Sequence, residues 1–525
     1  MVPCYGESIH TRSHTYRQYH HLVHDVHVGG LIVIGHTLNG SIRNAEPYAM
    51  AAFLNRMQKL AKLPLLVGAD FERGASMRVN NTTPWPQNMA FGAARDLEDA
   101  RYEGAETARE ARALGVQWIF APVADVNNNP DNPIINIRSY GEDPAQVARF
   151  VEAYIDGAHQ DQKHPVLVTV KHFPGHGDTN EDSHLGMPRL AASRERLDQI
   201  ELVPFRAAIT HHVDAVMTAH MAVAALDPQD IPATVSSAVL TGLLRGELKF
   251  DGLVITDAME MQGLSKLLDS GEAAVRALDA GADVLLMPVH PEDAIRGVLA
   301  AVKSGRLTRK RIDASVIRVL AAKIRVGLQR SRVVDLEAIA DVVNSPEAEE
   351  RAQAVAERAL TLVKDSGNLL PLKAPETACL HVLLEGRYGQ QGRRFIEEVR
   401  KHAPKMAVNL LDPAMTADDL HRTADAASSC AINVIAAYSA VGVWPEFVNT
   451  LIHNGKPSLL LSFGNPYLIR NFPDANAFLA AFSTTTTSET AIARALFGEI
   501  PVTGKLPVTI PGIAKIGDGI ERKGN

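Results

Sequence analysis

Short apolar runs alternate with amphipathic stretches along residues 29–329, a pattern typical of parallel strands joined by helices. The strand-like runs lie at 2–5, 30–35, 63–70, 116–126, 165–173, 214–223, 252–259 and 283–288. Helix candidates with charged faces lie at 97–114, 144–160, 193–212 and 290–303. Since about eight strands close a barrel, the pattern predicts a TIM-like (β/α)8 barrel. A doubly wound open sheet alternates similarly, but no glycine fingerprint for a nucleotide follows the first strand.

The alternation changes near residue 331. A mixed, loop-like stretch at 332–340 is followed by a predicted helix at 345–361, with Ser345 as its N-cap and Pro346 at its first position. Further apolar runs lie at 379–384, 406–411, 431–437, 457–463 and 477–482. We therefore predict a barrel domain at 1–330, a linker at 331–350 and a smaller α/β sandwich domain at 351–525.

Composition narrows the class of protein. Hydrophobic residues make up 46% of the chain and charged residues 22%, as in soluble globular proteins. A formal net charge of −7 argues against a dedicated nucleic-acid binder and leaves neutral substrates open. Cys4, Cys379 and Cys430 lie far apart, so we predict ordinary thiols rather than a disulfide framework or a zinc knuckle.

The first residues show no basic region followed by a long apolar run, so neither a secretory signal nor a membrane span is predicted. Cytoplasmic localisation is the default expectation. A start site placed too late would hide a leader, which keeps a secreted or periplasmic protein open.

Polar residues end several of the predicted strands. In a closed barrel such residues gather at the carboxyl edge, where the chemistry of this fold takes place. They are Asp70, Asp125, Lys171, His172, His220 and Asp257. Each one alone is explained by a strand-end cap or a buried hydrogen bond, but their shared register predicts a functional site.

The densest polar segment is the loop at 171–184, which reads KHFPGHGDTNEDSH. Such a loop suits a metal site, a solvated loop or a mobile catalytic flap. His172 and His176 are four residues apart, but Pro174 and Gly175 disfavour a helical presentation and no acidic cluster completes a ligand set, so we predict no metal. A carboxylate two residues from an imidazole, as at 182 and 184, indicates an acid/base pair.

Residues 171–179 with 182–184 resemble the signature of glycoside hydrolase family 3, in its β-N-acetylglucosaminidase branch. Residues 255–259 are similar to the nucleophile strand of that family, and 121–125 with 138–140 to its substrate-binding strand and loop. Three segments of the second domain, at 367–372, 463–467 and 503–508, resemble further hallmarks. The resemblance covers nearly the whole chain.

The resemblance implies a retaining exo-β-N-acetylglucosaminidase that works by double displacement and needs neither a metal nor an organic cofactor. Asp257 would be the nucleophile and His184 the acid/base, with Asp182 as the orienting partner of the histidine. The terminal sugar would be held by Asp70, Arg78, Arg138, Lys171 and His172. Its substrate would be an N-acetylglucosamine-containing muropeptide from peptidoglycan or a chitin oligosaccharide.

Residues 70–74 read DFERG, where the family usually has DQEGG, so Phe71 and Arg73 bear on the leaving-group preference. Three alternatives stay open. A β-glucosidase or β-xylosidase of the same family is one. An N-acetylglucosaminide phosphorylase is another, because a histidine acid/base lacks the fixed negative charge that repels phosphate. The third is a catalytically inactive sugar-binding protein. The sequence leaves the oligomeric state open.

Overall fold

The computed structural model describes residues 1–5, 12–38, 41–386, 389–438 and 444–524. Its first sheet holds seven parallel strands that follow one another in chain order. They are β1 (Val2–Cys4), β2 (Gly30–Val33), β3 (Leu66–Ala69), β4 (Trp118–Ile119), β5 (Leu167–Phe173), β6 (Ala215–Thr218) and β7 (Leu253–Ile255). Apart from the partly exposed Pro3, the residues of all seven strands are buried, as expected where helices cover the sheet.

The segment 283–287 closes this sheet. On one side, the Thr256 amide donates to the Val284 carbonyl across 3.1 Å. On the other side, the Met1 amine donates to the Leu285 carbonyl across 2.7 Å, and the Met287 amide donates back to the Met1 carbonyl across 2.9 Å. Because one segment bonds both β7 and β1, the sheet curls into a barrel, and the predicted fold class is confirmed.

The eighth predicted strand differs from the prediction in detail. Within 283–287 only Val284 forms a ladder bridge, with Ile255. The Leu286 amide donates instead to the Thr256 side-chain oxygen across 2.9 Å. This segment is therefore an irregular closing segment, because a side chain takes the place of a backbone partner.

Helices surround the barrel. Regular α-helices are His14–His20, Pro47–Leu60, Asn88–Ala94, Leu97–Ala113, Pro144–Ala158, Arg194–Gln199, Val203–Thr210, Gln262–Ser265, Ser270–Ala280, Pro291–Lys303, Arg309–Arg325 and Ile339–Val342. Two π-helices, His21–Asp25 and Ala238–Glu247, add to them. The single helix predicted at 193–212 is wrong: it breaks in two because Pro204 has no N–H for the carbonyl of Ile200. Within the described ranges, no helix has the length and apolar character needed to cross a bilayer.

A second sheet of six strands confirms the smaller α/β unit. Its strands are β8 (Thr361–Asp365), β9 (Cys379–Leu383), β10 (Ala407–Leu411), β11 (Asn433–Ala437), β12 (Ser458–Ser462) and β13 (Ala477–Ala480), in the order β8-β13-β12-β11-β9-β10. All pairs are parallel except β8 with β13. Its helices are Pro346–Ala359, Arg393–His402, Ala417–Ala427, Pro445–Ile452 and Thr486–Leu496. Two apolar clusters pack this sheet against its helices.

Two of the three cysteines form a disulfide, so the prediction of ordinary thiols is wrong for them. Cys379, the first residue of β9, is joined to Cys430, and their Cα atoms lie 5.8 Å apart. The 51-residue separation hides this pairing in the sequence. Strand pairing produces it, because β9 lies beside β11 with Cys379 opposite Asn433. Cys4 lies outside this disulfide and is buried in the barrel.

The second unit packs against the loops that follow β4 in the barrel. Glu142 accepts hydrogen bonds from the amide and the hydroxyl of Thr509, at 2.7 and 2.6 Å. The Asn127 side chain donates to the Tyr467 hydroxyl across 3.0 Å, and Asn127 is fully buried. These contacts hold in place the loops at the carboxyl edge of the barrel, where the candidate site lies.

Candidate active site

A network of charged side chains forms the floor of the site. Lys171, on β5, contacts Asp70 at 2.7 Å and Glu72 at 2.6 Å, and only 2% of its side chain is exposed. Glu72 also accepts two hydrogen bonds from Arg138, at 2.8 and 2.9 Å. Asp70 is further bonded to Arg78 at 3.1 Å. The network thus gathers four of the predicted sugar-binding residues, Asp70, Arg78, Arg138 and Lys171, at the ends of β3 and β5.

Opposite charges in this network keep Lys171 and Glu72 in their charged forms. Burial opposes the charged form of Lys171, but the carboxylates of Asp70 and Glu72 outweigh it and raise the pKa of Lys171. Burial likewise opposes ionisation of Glu72, but Arg138 and Lys171 hold its pKa well below the ordinary value. Such a network offers a polar ligand charge-assisted hydrogen bonds, which are stronger than those between neutral groups.

The sequence analysis did not name Glu72, although this residue connects Lys171 to Arg138. Glu72 is 6% exposed, and both of its oxygens are bonded within the protein. A signal was present, because Glu72 lies two residues after Asp70 in the segment recognised by its resemblance. What the sequence did not reveal is that Arg138, sixty-six residues away, folds back onto it.

His172 is held in one orientation by Asp125 and Arg138. The ring nitrogen Nδ1 lies 2.7 Å from an Asp125 oxygen, and Nε2 lies 3.3 Å from Arg138 Nη2. Because a guanidinium only donates, Nε2 accepts and Nδ1–H donates to the carboxylate. Asp125 also accepts from the His176 amide across 2.6 Å. Both ring nitrogens of His172 are therefore engaged by the protein.

Asp257 lies just beyond β7 and accepts a hydrogen bond from the Ala258 amide at 2.7 Å. Burial would raise the pKa of this carboxyl group, but His172, His220, the Ala258 N–H and Lys171 together hold it below the ordinary value of 3.8. Asp257 is therefore a carboxylate at neutral pH, the form that a nucleophile needs.

His220 follows β6 and links these groups. Its Nε2 lies 3.0 Å from the Ala258 carbonyl, and its Nδ1 lies 2.8 Å from the Thr234 hydroxyl. Burial lowers the pKa of His220, while the Asp257 carboxylate and the Ala258 carbonyl oppose this and the nearby imidazoles of His172 and His184 lower it further. Groups from β5, β6, β7 and the 171–184 loop thus lie within electrostatic range of one another.

The loop at 171–184 has a fixed half and an exposed half. Residues 171–177 are buried. The Asn132 side chain donates to the carbonyls of His176 and Gly177 at 2.8 and 3.0 Å, and Asp178 pairs with Arg196. The first residue of the loop that is exposed to solvent is Asn180. The first half therefore belongs to the floor of the site.

Asp182 and His184 form the predicted pair in the exposed half. The His184 Nδ1 and an Asp182 oxygen are 2.8 Å apart, and the His184 amide donates to the same oxygen, also across 2.8 Å. The His184 side chain is 55% exposed. Because Nδ1 is committed to Asp182, proton exchange with a ligand falls to Nε2.

This pair is seated on the segment that directly follows Asp257. The Gly263 amide donates to the Ser183 carbonyl across 3.1 Å, and Lys266 Nζ donates to the Leu185 carbonyl across 3.2 Å. A side chain at residue 263 would collide with this loop, because its Cβ would lie 2.7 Å from the Gly186 carbonyl oxygen. The contact at Gly263 holds the loop that bears His184 against the segment that follows Asp257.

A cavity of about 310 Å³ opens beside the charged floor and shares Glu72 and Arg138 with it. Arg73 lines it as well, hydrogen-bonded to the Ser76 hydroxyl across 3.2 Å. No carboxylate forms an ion pair with Arg73 in the described part of the chain. Burial and the neighbouring Arg78 lower the pKa of Arg73 to about 10. Glu72, which lines the same cavity, opposes this lowering, so the charge of Arg73 is only partly balanced.

Comparison with known protein families identifies the family of this chain. The model of the glycosyl hydrolase family 3 N-terminal domain matches residues 7–322, more than half of the sequence. The chain belongs to glycosyl hydrolase family 3. A β-N-acetylglucosaminidase/β-glucosidase of Cellulomonas fimi is 29% identical to this chain, and the alignment covers 93% of this chain and 89% of that relative. β-Hexosaminidase A of Pseudoalteromonas piscicida is also 29% identical, over 86% of this chain and 84% of that relative.

Solved family 3 structures agree with the two-unit fold. A β-N-acetylglucosaminidase from Paenibacillus sp. str. FPU-7 superposes with a TM-score of 0.86 at 36% identity, covering 94% of this chain and 95% of that one. A β-glucoside phosphorylase superposes with a TM-score of 0.80 at 27% identity, covering 92% and 89%. The two-unit arrangement therefore occurs both in a β-N-acetylglucosaminidase and in a phosphorylase.

We expect Gly263→Ala to lower kcat for substrates with poor leaving groups by at least about tenfold, because the added Cβ pushes the 183–186 loop from its seat and misplaces His184. Substrates whose leaving groups need little protonation should lose much less. Steady-state kinetics on a nitrophenyl and an alkyl N-acetylglucosaminide measure both. The control is Gly29→Ala, an exposed position where a Cβ meets nothing within 4 Å. Equal losses of kcat on the two substrates would show that the contact at Gly263 does not act through His184.

Proposed function

We propose that this protein is a retaining exo-β-N-acetylglucosaminidase that hydrolyses terminal β-linked N-acetylglucosamine. Its family membership and the names of its relatives support the substrate class. The observation that carries the proposal is the contact between Gly263 and Ser183, which seats the Asp182–His184 pair beside the strand that bears Asp257. A carboxylate and an imidazole acid/base, held over a polar floor, are what double displacement at a sugar carbon requires.

In the first step Asp257 attacks the anomeric carbon, and the bond to the leaving oxygen breaks as His184 Nε2 donates a proton to that oxygen. Asp182 holds Nδ1 of the ring and stabilises the protonated imidazole before the transfer. The low pKa of Asp257 keeps the attacking oxygen charged, while the bond from the Ala258 amide fixes its direction.

In the second step water attacks the covalent glycosyl–aspartate, and His184 Nε2 takes a proton from that water. The products are free N-acetylglucosamine with its configuration retained and a regenerated Asp257 carboxylate. In this scheme Asp70, Arg78, Arg138 and Lys171 hold the sugar hydroxyls and acetamide. His172 supports sugar binding mainly by holding Arg138 in position, since both of its ring nitrogens are already bonded to the protein.

Replacement of each catalytic side chain tests this scheme. Asp257→Ala should reduce kcat/KM for all N-acetylglucosaminides by at least about a thousandfold, because no covalent intermediate forms. His184→Ala should cost about a hundredfold or more on alkyl leaving groups but far less on nitrophenolate. The matched control is His164→Ala, which removes another exposed histidine whose Nδ1 lies 3.0 Å from an aspartate, Asp161.

The same reactions distinguish the alternatives. Faster cleavage of a nitrophenyl glucoside than of the N-acetylglucosaminide would contradict the substrate class. Accumulation of N-acetylglucosamine 1-phosphate as the main product, when phosphate is supplied, would replace hydrolysis with phosphorolysis. Unchanged turnover by Asp257→Ala would contradict the assignment of the nucleophile.

For the leaving group, we propose peptidoglycan fragments over chitin oligosaccharides. Arg73 carries a positive charge, only partly balanced by Glu72, at a cavity whose other walls include Ile134, Ile135 and Ile137. An acidic group on the aglycone would neutralise this charge, and muropeptides carry carboxylates whereas chitin does not. Partial burial strengthens such a charge-assisted contact.

Arg73→Gln should lower kcat/KM for a muropeptide substrate by about tenfold relative to the value for chitobiose, since a charge-assisted hydrogen bond contributes about 1.5–3 kcal/mol. Competition between the two substrates in one reaction measures this ratio. The control is Arg95→Gln, a change at a residue outside the cavity. A ratio unchanged by Arg73→Gln would contradict the aglycone assignment and leave the glycosidase assignment intact.

A further inference from the structure

A cluster of histidines lies on the first helix of the barrel, outside the site described above. His20, His24 and Asp25 each offer one ligand atom, and these three atoms lie within 4.8 Å of one another. The rings of His20 and His24 are stacked, with centroids 5.1 Å apart and planes inclined by 27°. His24 and Asp25 are exposed and His20 is partly exposed, so an ion reaches them from solvent.

The helix itself explains why these side chains converge. His20 and His24 are four residues apart, a spacing that places two side chains on one helical face. The chain passes from the α-helix His14–His20 into the π-helix His21–Asp25 at this point, a local irregularity often found at functional sites. Tyr16 and Tyr19 are buried against the barrel and hold the helix in place, while His24 and Asp25 beyond them are exposed to solvent.

A second layer of contacts orients the carboxylate. Asp25 uses one oxygen toward His24 Nδ1 at 2.8 Å and the other toward His21 Nδ1 at 3.0 Å. His21 Nε2 in turn lies 2.9 Å from Glu292, on the helix Pro291–Lys303. The contacts of His21 with Asp25 and Glu292 are outer contacts of the kind that hold the ligands of metal sites in place, whereas the His24–Asp25 contact joins two of the ligands themselves.

We propose that His20, His24 and Asp25 bind a divalent transition-metal ion of the zinc type, with water completing its coordination. Two imidazole nitrogens and one carboxylate oxygen suit Zn²⁺, Ni²⁺ or Cu²⁺, whereas Mg²⁺ and Ca²⁺ prefer all-oxygen sites. The ion displaces the His24–Asp25 hydrogen bond and replaces it with two stronger bonds. This site differs from the 171–184 loop, for which no metal is predicted, and takes no part in glycoside cleavage.

Zn²⁺ titration of the metal-free full-length protein, followed by competition with a chromophoric chelator, tests the proposal. We expect one saturable ion per chain at micromolar concentration, and a visible spectrum of four-coordinate Co²⁺ when cobalt replaces zinc. His24→Ala and Asp25→Asn should each weaken binding by at least about tenfold. The matched control is His453→Ala, which removes an exposed histidine paired with the single carboxylate of Asp474 at 3.1 Å.

Turnover of the N-acetylglucosaminide should be the same with and without zinc, and the same in His24→Ala as in the unaltered protein. Because the His24 side chain is 57% exposed, the variant should keep the far-ultraviolet circular dichroism of the parent chain. Binding of His24→Ala with the affinity of the parent, binding lost equally in His453→Ala, or no saturable binding of either Zn²⁺ or Co²⁺ would overturn the proposal.

Discussion

The ion network around Lys171 is the interaction on which the candidate site depends. A lysine ammonium that is 2% exposed is tolerable only beside compensating charge, and Asp70 and Glu72 supply it from the neighbouring end of β3. Removing one partner of such a buried pair commonly costs about 3–5 kcal/mol. The same charges orient Arg138, which in turn fixes His172. One electrostatic requirement of folding therefore builds a rigid polar floor at the mouth of the barrel.

Above this floor, Asp257 is held rigidly, whereas His184 lies where it can exchange a proton with a ligand. Asp257 is set by the backbone of its own strand end, while His184 lies on a loop held by a few contacts, chiefly those of Gly263 and Lys266. The exposed position leaves Nε2 accessible to a leaving group and then to water. In the proposed mechanism, a nucleophile at a strand end and an acid/base on a loop would divide the reaction between a rigid and an adjustable part.

Much of this arrangement was predictable from sequence because strand ends and polar residues share a register. The alternation of apolar runs predicted the barrel, and polar residues after β3, β5 and β7 predicted where the site lies. Long-range contacts were not predictable from one chain. Glu72 meets Arg138, Cys379 meets Cys430, and Gly263 meets Ser183 only after folding. The division at residues 331–350 and the cytoplasmic localisation stay predictions, and a disulfide is more usual in oxidising compartments.

Trapping the covalent intermediate tests the central claim, that Asp257 attacks the sugar from the floor of this site. The protein would be incubated with a fluorinated, activated N-acetylglucosaminide whose glycosyl–enzyme breaks down slowly, then digested and sequenced by tandem mass spectrometry. The account predicts one sugar per chain, attached to Asp257, and no adduct in Asp257→Asn. An adduct on another carboxylate, such as Asp70 or Glu260, or release of a product with inverted configuration and no adduct, would contradict it.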